Sequence, residues 1–141
     1  MTKSNEFLRP QLNILNQYIK DLSYENPQSI NQILSNNKTS DVSLDMNAFY
    51  QSFDNDCFGI TLKIICHSIF EKNKLFHLEL DYFGFFKILN NINFEEDILT
   101  NEAVRLIFPF ARSIVANLTQ NGGSIPILLE NVDFNLIKKT N

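Results

Sequence analysis

Apolar and polar residues alternate along four stretches of the chain before the period changes. Ile14–Glu25 sets Tyr18, Lys20, Leu22 and Tyr24 against Ile19, Asp21, Ser23 and Glu25, which predicts a strand with one wet face. Val42–Phe53 opens with Val42, Leu44 and Met46 against Ser43, Asp45 and Asn47. Cys57–Glu71 is dense in β-branched and aromatic residues and predicts a long strand, and Leu75–Leu89 predicts another. Asp54-Asn55-Asp56 and Lys72-Asn73-Lys74 read as short turns, so the last two strands form a long hairpin. The connection over residues 26–41 opens on Asn26-Pro27, is polar, and carries only Ile30, Ile33 and Leu34 as apolar residues.

From Ala103 the spacing is helical. Ala103, Leu106, Ile107, Phe110, Ala111, Ile114, Val115 and Leu118 recur at steps of three and four, and Gly122 and Gly123 supply the stop. Pro109 stands inside this pattern, where a proline removes a backbone hydrogen bond and crowds the preceding turn at a cost of about 3 kcal/mol. Residues 90–97 read as a loop or a single turn, and Asp133 as the cap of a short final helix, Phe134–Lys139. Strands first and helices last predict an α+β fold: a four-stranded antiparallel sheet packed on one long helix plus a short C-terminal helix. The expected organisation is a flexible leader over 1–13, a single domain over 14–139 and a short tail at 140–141.

Composition and charge narrow the function classes. The chain has 141 residues, of which 44% are hydrophobic, with thirteen Phe and no Trp, enough for a real core. A net charge of -4 without a basic stripe argues against nucleic acid as a partner. Cys57 and Cys66 are the only cysteines, and their odd separation on one strand puts them on opposite faces, so a reducing compartment is expected. Glu6, Arg9 and Pro10 interrupt the N-terminus, and no stretch reaches the length of a membrane span, so a soluble cytoplasmic protein with no membrane insertion is expected.

No Gly-rich phosphate loop and no metal-ligand spacing occurs, so no cofactor, metal or enzymatic activity is expected. His67 and His77 are equidistant from Lys72, which lets strand pairing bring them together without a third ligand. Cys57 with either histidine could be a nucleophilic pair, but cysteines in strand patterns are usually inert core residues. The hairpin carries Leu78, Leu80, Phe86 and Ile88 on one face and Phe83 and Phe85 on the other. One helix layer does not cover both, which points to a subunit interface.

Three stretches together resemble the SecB family of bacterial protein-export chaperones. "YIKDLSYENP" (18–27) resembles its first strand and following turn, and "LFHLELDYFGFFKI" (75–88) its fourth strand. "LIFPFARSIVANLTQNGGSIPILLENVDFNLI" (106–137) keeps, in order, the FPFAR core, the glycine after the helix, the P-x-L step and the V-[ND]-F helix start. The resemblance covers most of residues 14–137. It implies an ATP-independent holdase for unfolded secretory precursors, which hands them to the motor SecA and assembles as a homotetramer, a dimer of dimers. It implies that Leu78, Leu80 and Tyr82 face the tetramer contact and that Asp21, Glu25 and Glu79 bind SecA. Ile30, Ile33 and Leu34, with Phe134, Leu136 and Ile137, become candidate walls of a client groove. Proteins of this family carry a Pro-Phe or Pro-Tyr pair inside the long helix, so Pro109 is expected to kink it or to mark an irregular turn that follows the twisted sheet.

Three departures from the family pattern stand out. His77 occupies a position that is usually apolar, residues 36–40 lack the family's loop tryptophan, and the chain stops on "IKKTN" rather than an acidic tail. A second, tail-mediated SecA contact is therefore expected to be weak or missing. Two rivals remain: a SecB-like chaperone dedicated to a toxin–antitoxin pair, and a small-ligand enzyme on a similar sheet.

Overall fold

The computed structural model describes residues 8–27, 41–70, 73–90, 92–124, 126–129 and 138–140. Four strands follow one another: β1 (Leu12–Glu25), β2 (Asp41–Ser52), β3 (Cys57–Phe70) and β4 (Asn73–Ile88). A single long helix, α1 (Glu96–Asn121), comes next, and a short strand, β5 (Lys138–Thr140), closes the order. The sheet runs β1-β4-β3-β2-β5. Its first four strands pair antiparallel, and β5 joins the outer edge of β2 in parallel at Asn47–Phe49.

Period-two alternation decides which face of the sheet is covered. On β3 the even positions Phe58, Ile60, Leu62, Ile64 and Cys66 are all 0% exposed, and on β4 Phe76, Leu78, Leu80, Tyr82 and Phe86 are buried with them. Helix α1 closes this face with Leu99, Ala103, Val104, Ile107, Phe108, Ala111 and Val115, so the core is one sheet-to-helix layer.

The helix begins seven residues before Ala103. Glu96 and Asp97 occupy its first turn, where carboxylates suit the positive end of the helix dipole. It runs unbroken through Pro109. Both Pro109 and Arg105, whose carbonyl would otherwise accept from position 109, are on the exposed side, so water can serve the freed group. The helix stops as the glycines predict: Gly122 N–H donates to Leu118 O, and Gly123 takes a φ of 85°.

Three boundaries differ from the sequence reading. β1 starts at Leu12, inside the expected leader. Leu89 N–H donates to Gln11 O (2.7 Å), and Asn90 Nδ2 donates to Arg9 O (3.1 Å), so residues 9–13 are tied to the end of β4. The helix expected over Phe134–Lys139 does not hold at its end, because Lys138 and Lys139 lie in β5; residues 134–137 are outside the described residues. Thr140, expected in a tail, is the last residue of that strand. A free edge on β2 explains the difference, since an extended segment satisfies its backbone groups there as a helix would internally.

Candidate functional site: the open face of the sheet

The face of the sheet away from α1 is built from side chains in register across four strands. Cross-strand partners share a face, so the strand pairing defines rows. One end holds Glu25, His77, His67 and Ser43; next come Ser23, Glu79, Ile65 and Asp45; then Asp21, Asp81, Lys63 and Asn47. Beyond them lie Tyr18, Phe83, Thr61 and Phe49, then Asn16, Phe85, Gly59 and Gln51, and finally Asn13, Lys87 and Cys57. Successive rows are two residues, or about 7 Å, apart. The face therefore passes from carboxylate to aromatic along the strands.

Register on β1 departs from strict alternation. Pairing shifts between Ile14 and Asn16 and again between Ile19 and Asp21, leaving Leu15 and Lys20 as extra residues. Tyr18 thereby joins Asp21, Ser23 and Glu25 on the open face instead of Leu22 and Tyr24. The grouping of Tyr18 with Lys20, Leu22 and Tyr24 is corrected by this bulge.

At the acidic end, Asp21 and Glu25 are exposed. His77 Nε2 lies 3.1 Å from Glu79 Oε1, so the ring N–H donates to that carboxylate. The His67 and His77 rings stack at 5.8 Å, as their spacing about Lys72 predicts. That pairing relies on a bulge between Ser68 and Ile69, which offsets the hairpin end from residue 72. Lys63 Nζ sits 3.8 Å from Asp81 Oδ1. Asp81 continues the spacing of His77 and Glu79, the sequence signal that puts it on their face. Among the described residues, no group of three or more His, Cys, Asp or Glu is arranged to hold a metal ion.

The three carboxylates singled out from the sequence thus share one face. The three residues assigned to a tetramer contact do not open to solvent: Leu78 and Leu80 are fully buried and Tyr82 nearly so, under α1. Ile30, Ile33, Leu34, Phe134, Leu136 and Ile137 lie outside the described residues. Cys57 and His67 sit at opposite ends of β3, ten residues or about 33 Å apart, and His77 on β4 is paired with His67, so neither histidine forms a nucleophilic pair with Cys57. Cys57 Sγ instead donates to Asn55 O at 3.4 Å.

The helix side has its own open surface. Ile19 and Leu22 on β1, Val42 and Leu44 on β2, and Ile98 and Phe110 on α1 are all exposed. Leu106, Ile114 and Leu118 are half-buried beside them, each four residues from Phe110 or its neighbour in the line. A single helix covers the central strands and leaves both flanks bare.

A four-stranded antiparallel sheet with one long helix laid across it is the fold of SecB-like chaperones. The solved SecB-like chaperone of Mycobacterium tuberculosis, in complex with a ChAD peptide from the HigA1 antitoxin, superposes with a TM-score of 0.70 at 12% identity, covering 86% of this chain and 90% of that one. In sequence, the family model described as preprotein translocase subunit SecB matches residues 5–140. The protein-export protein SecB of Afipia carboxidovorans is 42% identical over 129 residues, 89% of this chain and 78% of that protein. That of Rickettsia akari is 38% identical over 136 residues, 94% of this chain and 88% of that protein. The chain belongs to the SecB family of protein-export chaperones.

Proposed function

We propose that this chain is an ATP-independent holdase that binds unfolded precursor proteins in the cytoplasm, keeps them competent for translocation and delivers them to SecA. The family match along residues 5–140 carries the reading. The M. tuberculosis neighbour, which holds a peptide of another protein, supports peptide capture on this fold. Among the described residues, no helix is long and apolar enough to cross a membrane.

The working form is a homotetramer, a dimer of dimers. Bare apolar flanks on either side of α1 support it, because a second helix-side layer would remove them from water. SecA docks on the rows holding Asp21, Glu25 and Glu79, where exposed carboxylates suit a basic surface. Clients lie along Ile30, Ile33 and Leu34 and along Phe134, Leu136 and Ile137.

Light scattering tests the reading. The mass is expected near four chains, and to rise when an unfolded precursor is added without ATP but not when a folded one is. A monomer that binds no client ends the proposal. Replacing Asp21→Asn, Glu25→Gln and Glu79→Gln together is expected to weaken SecA binding by about tenfold or more at low salt and to leave client capture unchanged. A pull-down dominated by one antitoxin would favour the dedicated chaperone instead.

A further inference from the structure

We propose that β5 is a self-strand, which occupies the β2 edge when no client is bound and gives way to an extended client segment. This rests on the holdase reading above. Three features of the pairing carry it. The first is length. β2 runs for 12 residues, and β5 pairs only with Asn47, Ala48 and Phe49. On that side Asp41–Met46 and Tyr50–Ser52 have no strand neighbour among the described residues, so the edge keeps backbone donors and acceptors for a longer strand. The second is strength. β5 has 3 residues and pairs in parallel, the weaker of the two ladders per residue, so little holds it in place. The third is chemistry. Register sets Lys138, Lys139 and Thr140 beside Asn47, Ala48 and Phe49, so the self-strand brings backbone bonds and no apolar residue. Val42, Leu44 and Phe49 of β2 stay exposed beside it.

Two observations choose the occupant that displaces β5. First, Val42 and Leu44 belong to the helix side of β2 and Phe49 to the open face. An extended apolar segment laid along this edge pairs its own backbone and sets alternate side chains beside apolar residues on both faces, which Lys-Lys-Thr does not do. Second, a second copy of the chain is a poor fit. Antiparallel pairing of β2 with β2 would bring Asp41 and Asp45 together, and β2 carries no Lys or Arg to answer them. An unfolded chain offers unpaired extended backbone along its whole length and meets neither obstacle. β5 and the client thus compete for the same backbone groups. Client affinity is then scaled by the fraction of chains whose edge is free, and every gain in β5 pairing lowers it.

The test measures capture of a fluorophore-labelled precursor, kept unfolded by reduction of its disulfides, without ATP. Two variants are compared with the full chain. One lacks Lys138–Asn141. The other carries Asn47→Cys and Lys138→Cys in a Cys57→Ser background, and oxidation locks β5 to the edge, since neighbouring strands lie about 5 Å apart, within disulfide reach. The deletion is expected to tighten capture by roughly fivefold, which corresponds to a free edge in about one chain in five. The oxidised pair is expected to capture roughly tenfold more weakly than the same protein reduced. Should the deletion fail to fold, the locked pair decides, because its two forms share one sequence. Equal capture by the oxidised and reduced forms, or by a folded deletion and wild type, refutes the self-strand and leaves the holdase reading standing. Weaker capture by a folded deletion makes β5 a support for clients rather than their competitor and overturns the proposal. No capture by the wild-type chain ends the holdase reading and this inference with it.

Discussion

Thr119 shows how much one buried hydroxyl can organise. It is fully buried near the end of α1, donates to Val115 O at 2.9 Å and accepts from Ile127 N–H at 2.9 Å. It thus anchors the segment that leaves the helix, a role that helical periodicity does not reveal, since Thr119 reads there as one more polar residue. Thr119→Val keeps the shape and strands the Ile127 amide, so it is expected to lower unfolding free energy by about 1–2 kcal/mol in a denaturant titration. An unchanged midpoint would mean that the contact contributes nothing. The two cysteines diverge in the same way. Cys66 is fully buried and burial pushes its thiol up to about 11, whereas Cys57 is half-buried at a strand end. A thiolate reagent at pH 8 is expected to label one thiol per native chain, and the second only on unfolding. Equal rates for both would contradict the burial of Cys66.

At the scale of elements, β1 carries the most information that its sequence hides. Its two extra residues, Leu15 and Lys20, turn Asn16–Ile19 over relative to the flanking segments, and only this brings Tyr18 onto the aromatic row. Deleting Lys20 removes the bulge and leaves every other side chain on its present face, so unfolding free energy is expected to change by about 1 kcal/mol or less. Deleting Gln17 turns a pair of side chains over, Tyr18 and Ile19 or Leu15 and Asn16 according to which bulge absorbs it, and is expected to cost several times that, about 3 kcal/mol or more. Equal losses in thermal unfolding of the two deletions would refute the register. Strands β3 and β4 were legible because their buried positions alternate from Phe58 to Cys66 and from Phe76 to Phe86. The helix was legible from Ala103 onward. Its first seven residues were not, because Glu96, Asp97, Thr100, Asn101 and Glu102 mask the apolar positions Ile98 and Leu99.

For the whole molecule, the single sheet-to-helix core sets the response to alkali. Tyr24, Tyr50 and Tyr82 are raised by burial, Tyr50 also by Glu96, and Cys66 is raised by burial alone. Each folded value lies above its unfolded value, so the neutral form is favoured by folding. The stability tied to these groups is complete below the ordinary thiol value of 9.0 and tyrosine value of 10.0, and is lost as pH rises through the folded values. Denaturant midpoints are therefore expected to hold steady from pH 7 to 8.5 and to fall by pH 11. A midpoint that rises over that interval would show that the buried rings and thiol do not govern it. The same core leaves apolar flanks beside α1, so the mass in solution reads out whether a second layer completes it.

Periodicity determined the four strands, most of the long helix and the placement of Asp21 with Glu25 on one face of its strand, because a period of two or of 3.6 is written into side-chain order and needs no partner to be read; that Glu79 joins them was decided by the pairing of β1 with β4. The residues of "FPFAR" and the stretches around it determined the family. Tertiary structure alone decided which face of the hairpin α1 covers, and hence that Leu78, Leu80 and Tyr82 are core, since both faces carry apolar residues and the choice depends on a helix that follows later in the chain. It alone placed Lys138–Thr140 as a strand, because a short polar segment pairs only where a free edge waits for it. It alone assembled the row Tyr18–Phe83–Thr61–Phe49, because register across four strands and a bulge in one of them are contacts between residues far apart in sequence.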